Sequence, residues 1–247
     1  MTTHQNTATM NYFYITGTSR GIGKATAEEL LKDNQNFVFG ISRNAALSHK
    51  NYKHISLDLN DLEKVKAFQF ELPEDAKKVV LFNNAGMLGH VTQVGKMDND
   101  KIIQSHNINL ISPAILINNF LSAFQNAQVE KIIINTSSGA ASHTIPSWST
   151  YCSTKAGLEM FARVIDDEQK DVKTNPVKVF SVAPGVVDTE MQDEIREVEP
   201  QNFRDLDRFV KLKNEGLLIS PQDVARQYVD ILKNPEKYPE MIMDLRE

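Results

Sequence analysis

The chain has 247 residues, 41% hydrophobic and 24% charged, a size and balance that suit one buried core and a single α/β domain. A formal net charge of -5, with Lys and Arg scattered along the chain, offers no basic field to a nucleic-acid backbone, and apolar runs as short as 79–82 exclude a membrane-spanning helix. The one cysteine, Cys152, excludes an internal disulfide or a cysteine-built metal site; with a polar N-terminus that lacks the order of a signal peptide, it points to a reducing, cytoplasmic setting.

Residues 1–10 read as a loose tail and 11–247 as one domain. Short β-branched and aromatic runs predict strands at 12–16, 37–42, 54–57, 79–82, 132–135, 177–182 and 241–243. Amphipathic segments predict helices at 22–33, 61–71, 98–106, 109–127, 149–170 and 221–233. This alternation is the pattern of repeated βαβ units, hence a doubly wound, Rossmann-type parallel sheet with helices on both faces. Asn60 or Asp61 caps one helix, and Ser220-Pro221 opens another. The acidic stretch 187–215, with apolar points at Met191, Ile195, Phe203, Leu206 and Phe209, reads either as a solvated helical hairpin or as a flap over a site.

The first strand runs through Thr16-Gly17-Thr18-Ser19-Arg20-Gly21-Ile22-Gly23 into a helix. Glycines there allow a tight turn and let a pyrophosphate approach free amides at the helix N-terminus. The spacing is G-x-x-x-G-x-G, placed at the first strand-to-helix junction, where doubly wound sheets hold dinucleotides. The second strand ends in Ser42-Arg43, without the carboxylate that accepts from a ribose in NAD sites. A serine and two arginines, Arg20 and Arg43, instead suit the 2′-phosphate of NADP(H).

Tyr151 and Lys155 are four apart in a predicted helix and so project from one face. A neighbouring ammonium stabilises a phenolate, and on that ground the tyrosine is expected to have a lowered pKa and to act as a proton donor. Ser138 follows the strand at 132–135, on the ligand side of the sheet, where its hydroxyl would hold a substrate carbonyl.

Together, Thr16 to Gly23, Asn83-Asn84-Ala85-Gly86, Asn109, Ser138, Tyr151, Lys155 and Pro184-Gly185 resemble the short-chain dehydrogenase/reductase family from residue 12 to residue 244. The resemblance implies a catalytic set of Asn109, Ser138, Tyr151 and Lys155, with Asn109 holding a water that links Lys155 to solvent. It implies that Asn84, Ala85 and Gly86 line the adenine side, and that Pro184, Gly185, Val187 and Thr189 wrap the nicotinamide end. Asp58 and Leu59 join the cofactor-binding set with Gly17, Ser19, Arg20, Gly21, Ile22, Gly23, Ser42 and Arg43.

Within the family, the segments 136–141, 148–157 and 184–192 look like the benzil reductases that form (S)-benzoin, which are themselves similar to sepiapterin reductases. The implied reaction is hydride transfer from NADPH to one carbonyl of a vicinal diketone, polarised by Ser138 and protonated by Tyr151. Trp148 and Met191 are expected to contact this small dicarbonyl. Asp244 lies near the position of an aspartate that anchors pterins in sepiapterin reductases, which keeps a pterin side-chain ketone as an alternative substrate. A reductase of carrier-bound ketoacyl groups would need a basic docking patch, and none is evident. A catalytically silent NADP-binding regulator would have lost one of Ser138, Tyr151 or Lys155. Cys152 reads as a small packed thiol, and His90, His106 and His143 lack metal-ligand spacing, so no metal is assigned. The helices at 109–127 and 149–170 match those that pair subunits in the family, and a homodimer or homotetramer is expected.

Overall fold

In the computed structural model, which describes residues 9–246, the predicted strands form one sheet. They are β1 (Met10–Thr16), β2 (Asn36–Ser42), β3 (Tyr52–Ser56), β4 (Ala76–Asn83), β5 (Glu130–Thr136), β6 (Lys178–Ala183) and β7 (Ile242–Asp244). All pairings are parallel, in the order β3-β2-β1-β4-β5-β6-β7. A parallel sheet with helices on both faces is dry on both sides, which is why Val79, Val80, Leu81 and Phe82 form an unbroken apolar run with no exposed surface. Alternate side chains go to opposite faces. Tyr12, Tyr14 and Leu81 enter one core cluster, while Phe13, Ile15, Val80 and Phe82 enter the other.

The helices are α1 (Gly21–Leu30), α2 (Leu62–Ala67), α3 (Asn99–His106), α4 (Ser112–Phe124), α5 (Ser149–Gln169), α6 (Glu190–Arg196), α7 (Leu206–Asn214) and α8 (Pro221–Lys233). Asp61 caps α2 and Ser220 caps α8, each accepting from a backbone amide three residues on. Among the described residues no helix is long and apolar enough to cross a membrane.

Three sequence expectations change. Most of the expected tail lies outside the described residues, but Met10 already pairs with Ala76, so β1 starts two residues earlier than predicted. Helix α2 stops at Ala67 rather than near 71, because the backbone turns extended at Phe68 and Phe70 packs against Tyr14, Phe120 and Phe124. The predicted helices at 98–106 and 109–127 are one continuous helix, since Asn107–Ile111 forms a π turn between α3 and α4 with helical backbone on both sides. A π turn inserts an extra residue into the helical ladder and commonly marks a functional position. Asn109 sits in it.

Strands β2 and β3 lie on one side of β1, and β4 to β7 lie on the other. The order reverses between β1 and β4, opening a crevice at the carboxyl ends of the strands. The stretch after β6 folds as the helical pair α6 and α7. Its base is pinned where Val187 bridges Ile219 and where Lys213 pairs with Asp188 at 2.7 Å.

Candidate active site

At the crevice, Gly17 (φ +78°) and Gly21 (φ +56°) take the left-handed conformation that turns β1 into α1. A Cβ on Gly23 would lie 2.4 Å from both the Gly17 carbonyl oxygen and Asn84 Nδ2, so the helix start packs on the turn with no room for a methyl group. Thr16 Oγ1 accepts from the amides of Asn84 and Ala85, each at 3.0 Å, and Asn84 Nδ2 donates to the Thr16 carbonyl. These bonds join the ends of β1 and β4. Arg20, at the N-cap of α1, makes no capping bond, and the first turn carries no acid, so its amides have no side-chain acceptor. Such a cradle fits the pyrophosphate of a dinucleotide.

A cavity of about 880 Å³ starts at Ser42 and Arg43, passes Gly17, Ser19, Arg20, Gly21 and Ile22, and ends beside Ser138 and Tyr151. Asp58, Leu59, Asn84, Ala85, Gly86, Pro184, Gly185, Val187 and Thr189 also line it. Of the expected cofactor set, only Gly23 stands behind the wall. The Ser42 hydroxyl donates to the Asn44 carbonyl at 2.9 Å and lies 3.3 Å from His54 Nε2. Arg43 is exposed and makes no ion pair among the described residues. Arg20 is turned to α6, where it pairs with Glu190 and, at 3.9 Å, with Glu194.

At the other end α5 brings Tyr151 and Lys155 onto one face, both buried. The Ser138 side chain stands at the Tyr151 hydroxyl, whose pKa it draws down, and accepts from the Ala140 amide at 3.2 Å. Lys155 Nζ donates to the Thr136 carbonyl at 2.7 Å and lies 5.7 Å from the centroid of the Tyr151 ring. The expected lowering of the phenol's pKa does not dominate. Burial pushes Tyr151 up to about 12, against the pull of the Ser138 hydrogen bond, and burial pushes Lys155 down to about 8. Both groups have lost solvation, and desolvation disfavours phenolate and ammonium alike.

Asn109 does not line the cavity. From the π turn its Nδ2 donates to the Met87 carbonyl and to Thr154 Oγ1, and its Oδ1 accepts from the Met87 amide. The space between Asn109 and Lys155 is kept open by Gly86, whose Cβ position is 3.5 Å from Asn109 Oδ1 and 3.6 Å from Lys155 Nζ.

Trp148 and Met191 both border the cavity. Trp148 is only 6% exposed, however, because Phe203 stacks on it and Phe209 tilts against it, at 5.3 Å and 5.4 Å between centroids. The two rings therefore cover one side of the indole. Asp244 borders the cavity as well, with its carboxylate accepting from Arg246, which holds it below its ordinary pKa. Cys152 is half-buried and directs its thiol to the His143 carbonyl at 3.8 Å. Among the described residues no group of His, Cys, Asp and Glu side chains comes together as a metal site.

Two supports escaped the sequence reading. Thr136 serves Lys155 through a backbone carbonyl, which has no side-chain signature. Tyr52 reaches from β3 across β2 to place its hydroxyl 3.1 Å from Thr18 Oγ1 in the glycine turn, over Gly40, where a Cβ would lie 2.0 Å from that hydroxyl. A lone glycine in a buried strand hints at such a close approach, without saying what approaches.

Comparison with known proteins agrees with this geometry. The chain is 37% identical over 244 residues to a benzil reductase ((S)-benzoin forming) of Bacillus cereus, covering 94% of this chain and 97% of that one. It is 30% identical over 242 residues to a sepiapterin reductase of Xenopus tropicalis, covering 89% and 90%. The crystal structure of a short-chain dehydrogenase/reductase of Saccharomyces cerevisiae superposes with a TM-score of 0.84 at 27% identity, over 96% of each chain. Residues 11–200 match the short chain dehydrogenase family. With the parallel sheet, the glycine turn and the Ser138, Tyr151 and Lys155 cluster already in place, the chain belongs to the short-chain dehydrogenase/reductase family.

Proposed function

We propose that this protein is an NADPH-dependent carbonyl reductase that converts one carbonyl of a vicinal diketone to an alcohol, as in benzil to (S)-benzoin. Family membership makes it an oxidoreductase acting between CH–OH and C=O with a nicotinamide dinucleotide. The observation that carries the reading is that Ser138, Tyr151 and Lys155 converge at one end of a cavity whose other end is the glycine cradle. The names of the bacterial relatives support the diketone.

Bound in the cavity, a reduced nicotinamide supplies the hydride. Ser138 and Tyr151 hold the carbonyl oxygen where negative charge develops, and Tyr151, kept neutral by burial, gives its proton to that oxygen. Lys155, held by Thr136, lies beside the phenol and stabilises the phenolate left behind. Arg43 takes the 2′-phosphate, with Ser42 below it. Neutral dicarbonyls suit the aromatic wall beside Tyr151.

A pterin side-chain ketone is the second reading, favoured by Asp244 in the cavity wall and by similarity to sepiapterin reductase. The pairing of Asp244 with Arg246 weighs against it, since the carboxylate already has donors. The exposed apolar side chains of Ile103, Ile111, Met160, Phe161 and Val164, on α3, the π turn and α5, support a homo-oligomer. The single cysteine suits the cytoplasm.

The test follows NADPH absorbance on adding benzil, with NADH and Tyr151→Phe run in parallel. Turnover with NADPH that disappears in the variant supports the reading. Tight NADPH binding without turnover of any diketone defeats it and moves the assignment to a pterin ketone.

A further inference from the structure

The flap meets the catalytic helix through rings. Phe203 and Phe209, from the segment between α6 and the middle of α7, stack and tilt on Trp148, and they also contact each other at 5.6 Å. Trp148 in turn stands edge to face on Tyr151, with centroids 5.6 Å apart and planes at 84°. All four rings are buried, with Leu88, Val91, Ala140, Ile195 and Leu206 packed around them as a core cluster separate from the two on the faces of the sheet. The unbroken path of contact therefore runs from flap to Trp148 to the phenol.

Resting on the reductase reading above, we propose that Trp148 is a positioning residue: seating Phe203 and Phe209 on one side of its indole fixes the Tyr151 ring on the other, so that the flap sets the aim of the proton donor. The geometry limits alternatives. Tyr151 has Ser138 at its hydroxyl and the Lys155 Nζ over its ring, and Trp148 is the one aromatic ring that packs on it among the described residues. Remove the flap rings and the indole loses its two ring contacts on that side. The phenol then loses the support that holds its ring in register with Ser138. The indole Nε1 is buried without a hydrogen-bond partner among the described residues, so Trp148 acts here by shape rather than by donation. A Phe in its place should keep most of the effect.

Phe203 is the residue to test, because it is buried in the flap and does not border the cavity. Steady-state reduction of benzil is measured at saturating NADPH, in H₂O and D₂O, for the unmodified protein, Phe203→Ala, Phe203→Leu and Trp148→Phe. A misplaced proton donor costs on the order of tenfold or more in kcat. Phe203→Ala should therefore lower kcat about tenfold and enlarge the solvent isotope effect, with NADPH affinity within about twofold, while Trp148→Phe, which keeps a ring against Tyr151, should lose less in kcat than Phe203→Ala. If Phe203→Ala does not fold, Phe203→Leu is read the same way. A rise in KM with kcat and isotope effect unchanged would overturn the proposal, since the rings would then be only a substrate wall.

Because the chain has a single tryptophan, the clasp is also read without substrate. Phe203→Ala should shift Trp148 emission to the red and raise its quenching by acrylamide. Unchanged emission overturns the clasp whatever the protein reduces, whereas an unmodified protein inert toward benzil but with the expected emission change defeats the substrate assignment alone.

Discussion

Lys155 stands beside Tyr151 with its Nζ 5.7 Å from the ring centroid, and burial has moved the two groups toward their neutral forms, the amine down to about 8 and the phenol up to about 12. The pair is thus held against its own solvation, which has a measurable cost. Between about pH 8 and 10.5 the unfolded chain keeps the Lys155 proton and the folded chain has lost it. Stability from this group therefore rises with pH across that window, and below pH 8 the buried ammonium is a constant penalty. The shift corresponds to about 3 kcal/mol. Comparing Lys155→Met with the unmodified protein by urea denaturation, the difference should move by roughly that amount in favour of the unmodified protein from pH 8 to 10.5. A flat difference would mean that Lys155 titrates normally. Tyr151 works the other way only above pH 10, where the unfolded phenol ionises first. Activity of the variant should be lost at every pH.

Much of this was legible in the chain. The strand runs, the glycine turn and the i, i+4 pair on α5 are local patterns, and each is set by short-range geometry. What stayed hidden depends on distant partners. Phe70 leaves the helical periodicity of α2 because Phe120 and Phe124 lie beyond it. Asn109 occupies a π turn that no spacing announces. Arg20 lines the cavity as expected, but its partners Glu190 and Glu194, 170 and 174 positions away, are invisible to any local pattern. Trp148 borders the cavity as expected, but the sequence does not tell that Phe203 and Phe209 pack against it.

The Arg20 arrangement separates the two arginines at the cofactor end. Arg43 is exposed and without an ion pair among the described residues, whereas Arg20 is engaged by Glu190 and Glu194 of α6. Arg43→Ala should weaken NADPH about tenfold and leave NADH unaffected, since a charge-assisted phosphate contact of about 1.4 kcal/mol is lost. Arg20→Ala should change the NADPH to NADH preference less than Arg43→Ala does and should raise KM for the carbonyl substrate. Exposed ion pairs contribute about 1 kcal/mol or less, so that rise should stay within about fivefold. KM values for both cofactors in the two variants check this, and an equal loss of preference would assign the phosphate to both residues.

At the glycine cradle the steric margin is set by backbone. A methyl at Gly23 meets the Gly17 carbonyl oxygen and Asn84 Nδ2 at 2.4 Å, and the carbonyl cannot move without opening the turn. Gly23→Ala should cost about 1–3 kcal/mol of stability, as overpacking does. It should weaken NADPH at least as much as Arg43→Ala does, because the amides of α1 would no longer face the phosphates together. Calorimetric titration with NADPH, alongside a thermal melt, measures both. Normal affinity in the variant would show that the turn tolerates a methyl and that the cradle is wider than it stands here.

The outer face of α5 bears Met160, Phe161 and Val164 at 60%, 38% and 50% exposure. Met160 and Val164 are one turn apart and so form a ridge, with Phe161 beside it. Large apolar side chains this exposed and this close together are costly on a monomer, and a two-fold contact would cover the same ridge on both copies. Light scattering after size exclusion should give a mass at least twice 27.9 kDa. Val164→Lys, which places two ammonium groups against each other across such an axis, should shift the population toward monomer without changing the far-ultraviolet circular dichroism spectrum. A monomeric unmodified protein at micromolar concentration would leave the ridge solvent-facing and remove α5 as a pairing surface.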